Sequence, residues 1–384
     1  MKKVLAGLIL LVIVLGLYFS SISFASTAGQ NNSVLPEVEK IKEKKHFNYL
    51  VTLDDKNKQD NYLDGLNEKE LLTAIAETAE ELDKKGSFPE IAMFAAYVDK
   101  KLIGNLKEEE YISILQNPEY STPFKVFMID TYSYSRSKNQ QKIDAEFNQV
   151  LKKIIKDKNN DPGLRFYAIS TVDDFNQNDV QSLTEILNSE KGEGYLTAAT
   201  LKALKEVNER ESFNISKNIL KNYQSYPIEE VQMAMHVVAS ISDNTLQEAN
   251  DVDNRFEDVD NIIKTSNDTA LISGAVFALG DVKTDKSVKT VINNRQKIND
   301  DGLIRYYIDK NYLAIAKMLD TNDDASIKIA LTCVDIAPFK NFKPKLEELI
   351  SQSKNEDIKN QAGLLIEKID KNSYEHNIKW DYND

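Results

Sequence analysis

Cysteine is almost missing from this 384-residue sequence: Cys333 stands alone, so no intramolecular disulfide can form. There are also one tryptophan (Trp380), three histidines, 13 glycines and 8 prolines. Scarce glycine and proline argue against an all-β fold rich in tight turns. His46, His236 and His376 lie far apart, and none has a second His or Cys at ligand spacing. A single tryptophan leaves little for stacking on sugars. Basic residues are in deficit as well. With 48 Lys and Arg against 61 Asp and Glu, the formal net charge is −13, which repels phosphate backbones, and no basic groove for nucleic acid is legible.

Chemistry-bearing motifs are equally sparse. There is no G-x-S-x-G, no H-E-x-x-H and no glycine-rich phosphate loop. Asp157, Asn159 and Asp161 start like a calcium loop, but Pro162 stands where the turn needs glycine and Ala168 where a bidentate Glu belongs. Asp320, Asn322 and Asp324 fail at Ala325 and Leu331, and the acidic run Asp251–Asp260 lacks the pattern. Cys333 lies in the apolar run Ile329–Val334 and reads as a small core residue. No catalytic residue, cofactor or metal is expected, and the chain reads as a non-enzyme.

The N-terminus does carry a long apolar run. Lys2 and Lys3 precede the uncharged Val4–Phe19, followed by small residues at Ser23 and Ala25. This is a secretory signal pattern, with cleavage expected between Ala25 and Ser26. Removal of Lys2 and Lys3 takes the net charge from −13 to −15. The alternative is an uncleaved anchor, although sixteen helical residues span about 24 Å against a hydrocarbon core of ~30 Å. Either way the bulk of the chain is expected outside the cytoplasmic membrane of a bacterium, secreted or held at the surface. Membrane contact is confined to residues 1–25.

Residues 26–65 read as a polar leader or linker. Within it, Glu37–Lys45 and Phe47–Leu53 suit either an extended arm or a first capping helix. From 66 to 370 apolar residues recur at helical spacing. The expected helices include Glu68–Lys84 with Gly86 as its C-cap, Pro89–Ile103, Glu108–Leu115, Pro123–Ser135, Ile143–Lys156, Asp161–Phe175, Leu196–Val207 and Glu229–Ile241. Beyond these come Val252–Lys264, Leu271–Val282, Ser287–Lys297, Leu303–Leu319, Ser326–Ile336 and Ile358–Ile369. No run of alternating β-branched residues predicts a sheet.

One register repeats. Asp161 is followed by apolar or small residues three, seven and eleven positions later, at Leu164, Ala168 and Val172. Asp268 has Leu271, Ala275 and Leu279 there, with Gly280 as an expected C-cap. Asn355, Glu193, Ile228 and Ser121 start weaker copies, the last with Phe124, Met128 and Tyr132. Starts at 121, 161, 193, 228 and 268 lie 40, 32, 35 and 40 residues apart, a period that fits one helix pair per repeat. Asp301 and Asp324 also fit but are only 23 apart, leaving the register of 285–340 open.

DPGLRFYAISTV at 161–172 and DTALISGAVFALG at 268–280 resemble the second helix of the HEAT-repeat family, with its Asp-Pro start, aliphatic-Arg pair and Ala/Leu face. The first match ends in Val172 rather than Leu, and the second has Ile272 in place of the Arg. The resemblance implies an all-α fold, a right-handed α-solenoid of stacked helix pairs, HEAT-like or armadillo-like, over 66–370. It also implies that Arg165 and Lys359 bond to acids of neighbouring repeats. Tail residues 371–384 would cap the last repeat or act as a docking peptide.

Tyr and Arg are favoured at interface hot spots. Tyr132, Tyr134, Arg136, Arg305 and Tyr306 are therefore the candidate binding residues. The expected function is an extracellular scaffold or adaptor for a protein or peptide. The alternatives are an envelope enzyme acting on glycan on an α/α fold, and a self-associating structural envelope component.

Overall fold

The computed structural model describes residues 35–53, 55–85, 106–246 and 255–376. The signal segment with Ala25 and Ser26, the helix expected over Pro89–Ile103, the Gly86 cap and Trp380 lie outside the described residues. Every regular element described is helical, and all of them lie in one compact unit, Pro36–Asp384. No helix among the described residues is long and apolar enough to cross a membrane.

Between residues 36 and 65 the chain is helical rather than extended. Helices α1 (Val38–Glu43), α2 (Lys45–Leu50) and α3 (Lys56–Asp64) precede α4 (Glu68–Lys85), and α1 and α2 pack on α4. The lock is Glu77 of α4, a fully buried carboxylate that accepts a hydrogen bond from the Phe47 amide at 2.8 Å, in the first turn of α2. Anions are favoured at a helix N-terminus, which offsets the cost of burying the charge.

The rest forms a succession in which one helix after another packs on its predecessor. From α4, the row continues through α6 (Thr122–Lys138), α8 (Pro162–Thr171), α10 (Gly194–Val207) and α12 (Ile228–Ser240). Helices α15 (Thr269–Gly280), α18 (Asp301–Lys310), α20 (Asp324–Ile336) and α22 (Glu356–Lys371) complete it, each touching the one before. A second set backs this row. Helix α7 (Ala145–Lys156) lies on α8, α9 (Val180–Ser189) on α10, and α11 (Glu209–Lys221) on α12. After the short α13 (Asp243–Leu246), α14 (Glu257–Thr265) lies on α15. Helix α5 (Glu108–Gln116) packs on α6, α19 (Tyr312–Leu319) on α20, and α21 (Lys343–Gln352) on α22.

Capping side chains start the first row. Ser121, Asp161, Asp268 and Asn355 each accept from amides of the following turn, as their positions predict. Asp300 and Asp323 do the same for α18 and α20, one residue before the expected Asp301 and Asp324. The N-cap of α12 is Pro227, not Ile228. That correction improves the register, because seven residues after the cap now comes Ala234. Ala168, Ala234, Ala275, Ala330 and Ala362 all stand seven after their caps, and all are fully buried. A methyl group at this position lets successive helices approach closely.

Several expectations need correcting. The helix from Asp161 ends at Thr171, and Val172 is extended. The long helix expected over Leu303–Leu319 is two, α18 and α19, broken at buried Asn311. The Asn311 amide side chain donates to the carbonyls of Tyr307 at 3.0 Å and Gly280 at 3.3 Å, competing with the helical ladder. Direct joining of two short helices explains the 23-residue spacing. Similarly, Ser287–Lys297 resolves into α16 (Asp285–Asn293) and α17 (Arg295–Ile298). Gly280 is an ordinary last helical residue and not a left-handed cap.

Arg165 bonds to an acid outside its own helix. It is 1% exposed, with Nη1 2.8 Å from Glu190 beyond α9 and Nε donating to the Ile155 carbonyl at 2.9 Å. Lys359 does not, since it pairs with Glu356 within its own helix. Cys333 is fully buried, and burial pushes its thiol well above the usual value.

Three substitutions test this packing by thermal melts followed by circular dichroism. Asp268→Ala should cost about 1 kcal/mol through loss of the α15 cap. Gly280→Ala should stabilise by about 0.5 kcal/mol, since a Cβ there meets only Lys310 and Tyr307 at 3.6 and 3.7 Å. Gly194→Ala should lower the melting temperature, because its Cβ would fall 2.6 Å from Pro227 Cβ. A stabilised Gly194→Ala would contradict the close approach of α10 to the start of α12.

Candidate functional site

Tyr132 is not a surface contact. It is buried in α6, stacked on Phe147 with ring centroids 3.9 Å apart and set edge-on to Tyr111 at 5.1 Å. Its hydroxyl donates to Asp144 Oδ2 at 2.6 Å and accepts from Arg136 Nη2 at 3.0 Å. Arg136 also pairs with Asp144 and donates to Gln141 at 2.9 Å. The two expected binding residues therefore fasten the α6–α7 connection. Tyr132 stands eleven residues after the Ser121 cap, the position occupied by buried Val172 and Leu279 in other copies, so its burial was legible in the repeat. Tyr134 is half-buried on the same helix.

Arg305 and Tyr306 diverge. Exposed Arg305 lies over the Tyr374 ring at 5.5 Å and donates to its hydroxyl at 3.4 Å. Tyr374 belongs to the described part of the tail, residues 371–376, where it meets the connection between α20 and α21. The Tyr374 amide donates to the Pro338 carbonyl at 3.1 Å, and the Lys340 amide donates to the Tyr374 carbonyl at 3.2 Å. His376 follows, with a fully buried side chain, stacked on Tyr312 at 4.3 Å and 2.7 Å from Asp309 Oδ1. Tyr306 instead meets Phe277 of α15 edge-on at 5.6 Å.

Phe277 was not anticipated, yet it is 50% exposed. It stands in a strip of accessible aromatic and charged side chains that links successive helices of the first row. Tyr167 and Phe166 of α8 pack edge-on at 5.3 Å, and Phe166 reaches Tyr195 of α10 at 6.1 Å. Beyond Tyr195 lies the Glu229 carboxylate of α12. Further along, exposed His236 of α12 is 3.9 Å from Asp281, which Lys310 of α18 also pairs with. Phe277 and Tyr306 join α15 to α18 beside them.

Surrounding protein perturbs several ionisable groups along and beside this strip. Asp130 of α6 is exposed to solvent, yet surrounding protein pushes its carboxyl above the ordinary value. Burial raises the Tyr167 phenol, with Asp130 adding to the effect. Burial likewise lowers His236, against the pull of Asp281, and lowers Lys125. Each of these groups is in contact with solvent yet partly screened from it by neighbouring side chains. Recognition of another surface is within reach of such a strip. Among the described residues no group of three His, Cys, Asp or Glu is placed to hold a metal ion.

The His236 shift has a sign that can be measured. The folded chain favours the neutral imidazole, so the unfolded chain takes the proton first. The contribution of His236 to stability is complete above pH 6.5, the unperturbed value, and is lost as the pH falls below it. An NMR titration should place the His236 midpoint below 6.5, and His236→Gln should flatten the acid side of the stability profile. A midpoint above 6.5 would mean that the attraction of Asp281 outweighs burial.

No family model matches the chain, and a search of curated proteins found no match.

Proposed function

We propose that this chain is a non-enzymatic scaffold that binds a protein or peptide outside the cell, built as a right-handed HEAT-like solenoid. The succession α4, α6, α8, α10, α12, α15, α18, α20, α22, in which α6, α8, α10, α12, α15, α20 and α22 are each backed by a second helix, supports the solenoid reading. The signal pattern of residues 1–25, with cleavage between Ala25 and Ser26, supports export.

The observation that carries the binding role is the set of accessible aromatic contacts between successive first-row helices, Phe166 with Tyr195 and Phe277 with Tyr306. Aromatic rings supply large contact area at low entropic cost, and Tyr is enriched in hot spots. Glu229, Asp281 and Lys310 add alternating charges that would set partner register rather than supply bulk affinity. Tyr306 remains a binding residue in this reading, joined by Phe277, Tyr195 and Phe166. Tyr132 and Arg136 drop out because their polar groups are already engaged.

Asp130 favours a second reading, an enzyme of an α/α fold acting on glycan, since such chemistry uses a carboxyl with a raised pKa. Burial is the cause of that shift, and a glycosidase acid can be raised in the same way, so activity of Asp130→Asn against glycan separates this reading from the scaffold.

The test is capture from the surface and medium of the source cells on immobilised protein, with mass-spectrometric readout. A partner should be retained by the wild type and weakened tenfold or more by Phe277→Ala with Tyr306→Ala, about 1.4 kcal/mol or more, at unchanged melting temperature. Retention unaffected by both changes would remove the strip from the function. Concentration-dependent mass in light scattering, with no partner, would replace the scaffold by a self-associating component.

A further inference from the structure

A cleft of about 310 Å³ opens between the α7–α8 connection and α9. One wall carries Lys156, Lys158 and Arg165, and the other Gln181, Glu185 and Ile186. None of these residues belongs to the aromatic strip. In a chain whose acids outnumber its bases, this wall gathers three cations.

Arg165 makes the cleft unusual. Its Nε and Nη1 are engaged by the Ile155 carbonyl and Glu190, as described above, but buried Nη2 has no hydrogen-bond partner in the protein. A buried guanidinium nitrogen with no acceptor is costly and stands ready to donate. Glu190 balances one positive charge. Lys158 is exposed and forms no ion pair among the described residues, and Lys156 lies only at the margin of one, 3.9 Å from Asp179. Opposite, the Gln181 amide donates to Glu185 at 3.0 Å, and the buried Ile186 contributes the apolar part of the lining. Glu185 disfavours a doubly charged ligand such as phosphate. Ile186 suits a ligand with a hydrocarbon stem.

We propose that this cleft binds a carboxylate, its oxygens taken by Arg165 and Lys158 and its carbon stem lying on Ile186. The carboxylate could come from a free small acid or from a peptide, and the two share the same recognition chemistry.

Chemical-shift titration of the full chain tests this, with the Arg165 guanidinium as reporter. Propionate should produce a saturable shift, and Lys158→Glu should weaken it at least tenfold without changing the melting temperature. Lys158 is fully on the surface, so loss of fold does not confuse the result, as it would for Arg165 itself. A second arm compares a short peptide ending in a free carboxylate with its C-terminal amide. A free-acid peptide binding tenfold more tightly than propionate, with the amide inert, assigns the carboxylate to a peptide. Propionate binding as tightly as the peptide assigns it to a free acid. A linear shift with no saturation, binding unchanged in Lys158→Glu, or inorganic phosphate binding more tightly than propionate would each overturn the proposal.

Discussion

Everything in this fold depends on the apolar faces of the first-row helices finding cover on their neighbours. A helix such as α15 carries Leu271, Ala275, Val276 and Leu279, all buried, and it packs on α12 and α18 as well as on α14. The next first-row helix completes the burial. Ala at the seventh position after the cap lets α8, α12, α15, α20 and α22 approach their neighbours closely, and a capping side chain sets where α6, α8, α15, α18, α20 and α22 begin. Where the seventh residue is large, as at Met128 and Tyr307, burial is still complete. The neighbouring side chains accommodate the volume, and desolvation pushes the Tyr307 phenol far above its usual value.

Polar groups inside this row act as specific ties. Buried Glu230, three residues after the Pro227 cap, accepts from the Thr197 hydroxyl at 3.0 Å and so links α12 to α10. Burial raises its carboxyl, so the ionised form costs stability above the ordinary range of a carboxylate. Glu77 carries the same cost while fixing α2. Exposed ion pairs such as Lys368–Asp335 contribute much less. The costly groups are the ones that specify which helix meets which.

The aromatic strip and the Arg165 cleft both arise from this packing of helix on helix. The strip gathers side chains from successive first-row helices. The cleft lies where a first-row helix begins and the next backing helix passes. Neither requires a catalytic group.

Much of this was determined locally by the sequence. Helical periodicity, the caps at Ser121, Asp161, Asp268 and Asn355, the buried alanines and the inert Cys333 all follow from spacing and short-range chemistry. Tyr132 was legible too, through its place eleven residues after a cap, but its resemblance to an interface residue masked it. Other features needed the tertiary structure. Asn311 breaks a helix because the Gly280 carbonyl is brought beside it. Phe277 gains significance only beside Tyr306, and Asp130 only beside Tyr167. Nη2 of Arg165 lacks an acceptor because packing commits the nearby carbonyl and Glu190 to the other two nitrogens. Periodicity along one chain specifies which face of a helix is buried, whereas contacts between distant segments decide which polar atoms remain unmatched.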